Sequence, residues 1–247
     1  MSRTRIVGHR GCGFLAPENS LTGFRRAVEM KLDGTEFDIH MTKDRALVVL
    51  HDPWLERTTS GTGAVGDMTF HDLRGARIHG TDEPIPTMRE VLDVLAPSAC
   101  ELHVEIKTDV RGEPYDDIVA AVLDEIRGRH LEERTIFTSF IPEDLHRVRA
   151  LSPQARVLCS INRTSAEARG GFAEAIAAFA ELEGCLFAVE KNLLLHAFDD
   201  FAPTLGADRL GVWLVDKAEG VTYWHNRAVR QITTDRPDIA ISAIVDR

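Results

Sequence analysis

Short apolar runs alternate with stretches of helical periodicity along almost the whole of this chain, and that order restricts the fold more than any other feature. An apolar run suits a strand covered on both faces, and the amphipathic stretch after it suits a helix returning across the same sheet. Eight such pairs can be counted. The spacing predicts strands over Arg5–His9, Thr35–His40, Glu101–Lys107, Arg134–Thr138, Ala155–Ser160, Cys185–Val189, Arg209–Leu214 and Arg230–Thr233. The clearest predicted helices span Leu21–Lys31, Met88–Leu95, Asp116–Arg129, Glu143–Leu151 and Ala166–Leu182, several after a Ser, Thr, Asn or Pro start signal. Eight consecutive units point to an α/β fold closed as a (βα)8 barrel, one domain over 1–247.

A further apolar run, Leu47–Leu50, follows the second strand after only about four residues, too few for a right-handed parallel crossover. It reads as a hairpin return. It opens an excursion from 41 to about 86, rich in Gly, Thr and Asp, that interrupts the second unit. Loops after the strands form the active-site face of such a barrel, so this insertion is expected to line or cover a pocket.

Composition narrows the partners. Asp and Glu outnumber Lys and Arg by 39 to 29, and the net charge of −10 speaks against broad binding to nucleic acid or anionic membranes. A phosphate group approaching this chain needs a local cation to overcome the overall field. The apolar stretch after Arg3 and Arg5 stops at His9, so no signal-peptide core is present; a cytoplasmic location without stable membrane insertion is expected. Cys12, Cys100, Cys159 and Cys185 are widely spaced with no CxxC pair and are expected to stay reduced. No heptad seam marks a partner surface, although the outer helices leave a homo-oligomer open.

Groups suited to phosphate-ester chemistry are concentrated in His9-Arg10-Gly11, Pro17-Glu18-Asn19, Glu36-Phe37-Asp38, His51-Asp52 and Glu105-Ile106-Lys107. Along a strand, a period of two puts Glu36 and Asp38 on one face and Phe37 and Ile39 on the other. Glu101, His103, Glu105 and Lys107 likewise share a face opposite Leu102, Val104 and Ile106. Inward carboxylates must be paired, hydrogen-bonded or metal-bound. Glu36, Asp38 and Glu105 are therefore candidate ligands for a hard divalent cation, Mg²⁺ or Ca²⁺. A salt-bridge network with Lys107 and Arg10 would satisfy them too; the histidines tilt the reading towards the metal.

His9 ends the first strand and His51 ends the hairpin return, so both reach the same barrel mouth as a candidate proton donor and acceptor. Arg10 and Lys107 are candidate substrate contacts. Arg10 could equally brace the first loop through Glu18, and Lys107 could serve a ligand carboxylate. Asn19 or Ser20 is the expected cap of the first helix, and Asp52 the expected support of His51. Trp213 either walls the pocket or packs in the core.

The ordered set His9-Arg10-Gly11, Pro17-Glu18-Asn19-Ser20, Glu36-x-Asp38, Thr42-Lys43-Asp44, His51-Asp52 and Arg57-Thr58-Thr59 with Gly61-Thr62-Gly63 resembles the glycerophosphodiester phosphodiesterase family. Weaker similarity continues through Glu105-Ile106-Lys107, Thr138-Ser139-Phe140, Trp213 and Thr234-Asp235-x-Pro237. The resemblance implies a TIM barrel, with His9 and His51 as the acid/base pair and Glu36, Asp38 and Glu105 holding a divalent metal. It further implies a small-molecule glycerophosphodiester substrate cleaved to glycerol 3-phosphate through a cyclic phosphate. Arg45 stands where the family pattern has a turn glycine, and Leu214 and Asp216 alter its Trp-Thr-Val-Asn pattern, with Asp216 expected to add charge at the rim. A phospholipase D-like barrel acting on lysophospholipids, and a non-catalytic barrel that binds phosphodiesters, are the alternatives.

Overall fold

The computed structural model describes residues 3–179 and 182–245. Its strands are β1 (Arg5–Gly8), β2 (Gly34–Met41), β3 (Leu47–Val49), β4 (Glu101–Ile106), β5 (Thr135–Ser139), β6 (Arg156–Ile161), β7 (Leu186–Glu190), β8 (Leu210–Trp213) and β9 (Gln231–Thr234). Helices α1 (Leu21–Glu29), α2 (Phe70–Leu73), α3 (Met88–Leu95), α4 (Ile118–Arg127), α5 (Pro142–Leu151), α6 (Arg163–Ala168), α7 (Phe172–Ala177), α8 (Lys191–Leu205), α9 (Ala218–His225) and α10 (Pro237–Val245) follow or connect them. All strands except β3 pair in parallel, and β1 bonds to both β2 and β9, so the sheet closes into an eight-stranded barrel. Each expected strand lies within two residues of an observed one.

β3 is antiparallel to β2, with Ile39 opposite Val49 and Met41 opposite Leu47. The hairpin reading of Leu47–Leu50 therefore holds. Arg45, in its turn, adopts φ 69, the left-handed region for which glycine is the easiest choice. The excursion then builds a small core of its own from Val48, Leu50, Leu55, Val65, Leu73 and Ile85.

Helix starts follow local chemistry. The Ser20 hydroxyl caps α1 by accepting from the Gly23 N–H, Thr87 and Glu90 form a reciprocal capping box on α3, and Pro142 opens α5. The single helix expected over Ala166–Leu182 is instead two short ones, because Gly170 and Gly171 both take positive φ between α6 and α7. Residues 180 and 181 of that expected helix lie outside the described residues.

The barrel wall sorts side chains as strand parity requires. Phe37, Ile39, Leu102, Val104 and Ile106 are buried in the main core between sheet and helices, while Glu36, Asp38, His103 and Glu105 face a central cavity. At the opposite, N-terminal end of β4, Glu101 is held by Arg5, Arg156 and Arg230 at 2.7, 2.7 and 3.0 Å.

Candidate active site

Register assembles the acidic cluster. β2 and β4 run side by side with Asp38 opposite Glu105 and Glu36 opposite His103, so two carboxylates are neighbours across the ladder and the third is two residues along the same face. Oxygen atoms of Glu36, Asp38 and Glu105 lie within 4.8 Å of one another, and all three residues are buried. Burial, reinforced by the Asp38 and Glu105 charges, raises the Glu36 carboxyl well above the usual carboxylate range. Burial would raise Asp38 as well, but Lys107, His51 and Arg10, with a hydrogen bond from Asn19, hold it below that range. Lys107 donates to Glu105 at 2.7 Å and lies 3.3 Å from Asp38. Those carboxylates keep its ammonium charged against the cost of burial.

Three crowded carboxylates beside two cations leave the cluster short of positive charge, and an all-oxygen donor set of this size suits a hard divalent ion. The cluster therefore fits the metal expected from the sequence.

The histidines flank it. Gly8 pairs with Thr234 across β1 and β9, which sets the residues following each strand next to one another. His9 Nδ1 meets Asp235 Oδ1 at 2.7 Å, leaving Nε2 on the pocket side, 4.0 Å from Glu36. His51 repeats the arrangement through Asp52, Nδ1 to Oδ1 at 2.6 Å. Burial lowers the His51 pKa, with the Asp38 charge opposing it and Lys107 and Arg10 adding to it. Both rings and all three acids line one cavity of about 410 Å³.

A clamp joins the two histidine-bearing loops. Arg57 donates to Glu18 at 2.8 and 3.0 Å and also to Asp52, and Glu18 in turn accepts from Arg10 at 2.9 Å. Arg10 thus braces the first loop and lines the cavity, combining the two duties the sequence left open. Its φ of 49 turns the chain so that its own N–H donates to Glu36 at 3.0 Å. Asn19 does not cap α1; its amide donates to Asp38 at 2.9 Å, and only Ser20 caps.

The far wall is different. Phe140, Leu158, Ala188 and Trp213 give the cavity an apolar side, with Thr138 and Ser160 hydroxyls 3.0 Å apart beneath it. Trp213 is therefore pocket wall, held by its Nε1 donating to the Ala188 carbonyl at 3.0 Å and by an edge-to-face contact with Phe140. Asp216 is not among the lining residues: it accepts from the Thr234 hydroxyl and the Asp235 N–H, both at 2.9 Å, and so braces the loop that carries Asp235.

Every predicted site residue, His9, Arg10, Glu36, Asp38, His51, Glu105, Lys107 and Trp213, lines this one cavity. Asp235 and Arg57 were given no role from the sequence. Barrel closure offered a signal for Asp235, since the last strand must lie beside the first; nothing in the spacing of Arg57 foretold its bridge.

These features define a class, a closed (βα)8 barrel with a buried cluster of three carboxylates between two carboxylate-backed imidazoles at its mouth. The chain belongs to the Glycerophosphoryl diester phosphodiesterase family, whose sequence profile matches residues 9–239. A relative named glycerophosphodiester phosphodiesterase, from Caldanaerobacter subterraneus subsp. tengcongensis, is 33% identical over 163 residues, which is 63% of this chain and 65% of that protein. The match to that relative thus spans just under two thirds of its length. A crystal structure from Agrobacterium tumefaciens, provisionally named for the same diesterase activity, superposes with a TM-score of 0.85 at 28% identity, covering 99% of this chain and 98% of that one. The fold is also that of an Oleispira antarctica phosphodiesterase solved with its product sn-glycerol-3-phosphate, with a TM-score of 0.83, 19% identity, and 99% and 98% of the two chains covered.

Proposed function

We propose that this protein hydrolyses glycerophosphodiesters to glycerol 3-phosphate and an alcohol, with His9 and His51 as the acid/base pair and Glu36, Asp38 and Glu105 holding a divalent cation, Mg²⁺ or Ca²⁺. The observation that carries the reading is the pair of imidazoles, each with Nδ1 on a carboxylate, on either side of one buried acidic cluster. When bound, the cation supplies Lewis-acid stabilisation of charge developing on the phosphoryl oxygens. His51, kept neutral by burial, takes the proton from the glycerol hydroxyl next to the ester as that oxygen attacks phosphorus. His9, its ring fixed by Asp235, protonates the departing alkoxide. Water then opens the cyclic phosphate with the two roles exchanged, so protons balance over the cycle. Lys107 and Arg10 carry positive charge to the phosphate, and Trp213 bounds the organic part of the substrate.

The reading includes one barrel domain over 1–247 with the excursion at 41–86 as part of its mouth, and cytoplasmic residence. In support of the latter, the four cysteines are all buried and free. No described helix is long and apolar enough to cross a membrane. A second substrate class, lysophospholipids, draws on the apolar cavity wall and on two side chains beside the histidine loops, Phe14 at 70% and Trp54 at 50% exposure.

The test is turnover of glycerophosphocholine and glycerophosphoethanolamine by metal-stripped protein, with Mg²⁺, Ca²⁺ or Mn²⁺ restored separately and glycerol 3-phosphate monitored. Metal-dependent release, lost in His51→Ala, is expected. Turnover confined to lysolipid would select the second substrate class, and no turnover of either would leave a binding barrel.

A further inference from the structure

His40 follows Glu36 and Asp38 on the same face of β2, yet it is fully buried and takes no part in the cavity lining. It is spent instead on the backbone of His51. Beyond β3 the ladder ends where the Leu50 N–H donates to the Asp38 carbonyl at 3.1 Å, and among the described residues no backbone N–H reaches the carbonyl of His51, the residue that follows. His40 Nε2 donates to it at 3.1 Å. Because a carbonyl only accepts, Nε2 carries the ring proton and Nδ1 is an acceptor, which the Tyr115 hydroxyl fills at 2.8 Å. The two rings meet edge to face at 5.7 Å. Tyr115 comes from the loop between β4 and α4 and packs under the excursion so closely that a Cβ on Gly66 would stand 3.1 Å from its ring.

We propose that His40, backed by Tyr115, is a positioning residue for catalysis: it anchors the His51 backbone while Asp52 orients the His51 ring. The two anchors are independent, one on the main chain and one on the side chain. Neither His40 nor Tyr115 lines the cavity; the hydrogen bond that joins them to the site is the one from His40 to the His51 carbonyl. The hydrogen bonds also tie three segments, β2, the excursion and the β4–α4 loop, to the point where the proton is handled. Displacing a catalytic group by about 1 Å can cost about 100-fold in rate, so an anchor of this kind shows in turnover before it shows in affinity. The proposal rests on the diesterase reading for its kinetic arm only.

The experiment compares His40→Phe, His40→Gln, Tyr115→Phe and the double variant His40→Phe/Tyr115→Phe with the wild-type protein. Steady-state kcat and KM are measured on glycerophosphocholine with metal, and amide hydrogen exchange over residues 50–58 without it. His40→Phe is expected to lower kcat about 10- to 100-fold with KM within about two-fold, and to speed exchange over 50–58. His40→Gln, whose amide can still donate, restores part of both; Tyr115→Phe costs less, and the double variant is no worse than His40→Phe, since the two act as one chain. Unchanged kcat and exchange in His40→Phe, a loss confined to KM, or multiplying effects of the two sites would overturn the proposal. If His40→Phe does not fold, Tyr115→Phe and His40→Gln decide in the same way. A wild-type protein without diesterase turnover would remove the diesterase reading, and the exchange comparison would still decide whether His40 anchors His51.

Discussion

Replacing Asp235 by Asn removes the charge behind His9 while keeping the shape of the side chain. The bond that loses its charge is short, 2.7 Å, between a His9 side chain that is 15% exposed and an Asp235 side chain that is 31% exposed. Hydrogen bonds to charged groups contribute about 1.5–3 kcal/mol, and the one-third solvent access of Asp235 puts this one near the lower end, about 1.5–2 kcal/mol. If that stabilisation is needed only when His9 handles a proton, kcat falls about 10- to 30-fold. KM should stay within about two-fold, because Asp235 is not part of the cavity wall and Arg10 and Lys107 are untouched. Asp235→Ala also lets the ring rotate and should cost more. Space provides an independent perturbation: a Cβ on Gly13 would lie 2.7 Å from Asp235 Oδ1, so Gly13→Ala must push the carboxylate off His9 and reproduce the kcat defect without touching either residue's chemistry. Steady-state kinetics on glycerophosphocholine at saturating metal, with thermal denaturation as a folding control, make the assay. Folded Asp235→Ala and Gly13→Ala variants with kcat within two-fold of wild type would refute the idea that Asp235 orients His9.

Arg57→Ala opens the clamp between Glu18 and Asp52; because the arginine is half-exposed, kcat should fall only several-fold and the thermal midpoint by only a few degrees, measured by kinetics and scanning fluorimetry. Arg45→Gly should stabilise the fold by about 0.5–1 kcal/mol in urea titration, since relief of a left-handed non-glycine backbone, about 1–2 kcal/mol, outweighs the greater freedom of glycine in the unfolded chain and the loss of an exposed 3.3 Å pair with Asp117. Glu101→Gln should destabilise by up to about 3–5 kcal/mol at neutral pH, because Arg230 is left buried with its charge uncompensated. Burial would raise Glu101, but His103, Arg230 and Arg156 hold its folded pKa below the usual range. The stability it contributes is thus complete above the unfolded value of about 4.3 and is lost as pH falls through the folded one, so the gap between wild type and variant should narrow only below about pH 4.3 in denaturation series. Chelation should abolish turnover, and Ca²⁺ or Mg²⁺ added to stripped protein should raise its thermal midpoint by mass action, a rise absent from a Glu36→Gln/Asp38→Asn variant.

Much of this was decided by the sequence alone. The βα rhythm determined a closed barrel, because eight covered strands each followed by a returning helix have few other ways to bury both faces of the sheet. The period of two in Glu36-Phe37-Asp38 and Glu101-to-Lys107 determined which side chains enter that barrel, since parity is local and survives errors of one or two residues in strand ends. The predicted helix over 166–182 failed for a local reason too: the Gly170-Gly171 pair outweighed the apolar periodicity around it. What only the tertiary structure decided are relations between segments far apart in the chain. Asp235 reaches His9 because β9 closes on β1, Arg57 reaches Glu18 because the excursion folds back over the first loop, and Tyr115 reaches His40 because the β4–α4 loop passes under that excursion. Asp216, expected at the rim, braces the Asp235 loop, and of the two candidate caps, Asn19 and Ser20, Ser20 caps α1 while Asn19 serves Asp38. Periodicity reports which way a side chain faces; which polar partner it meets depends on sheet closure and loop packing, and no local pattern encodes those distances.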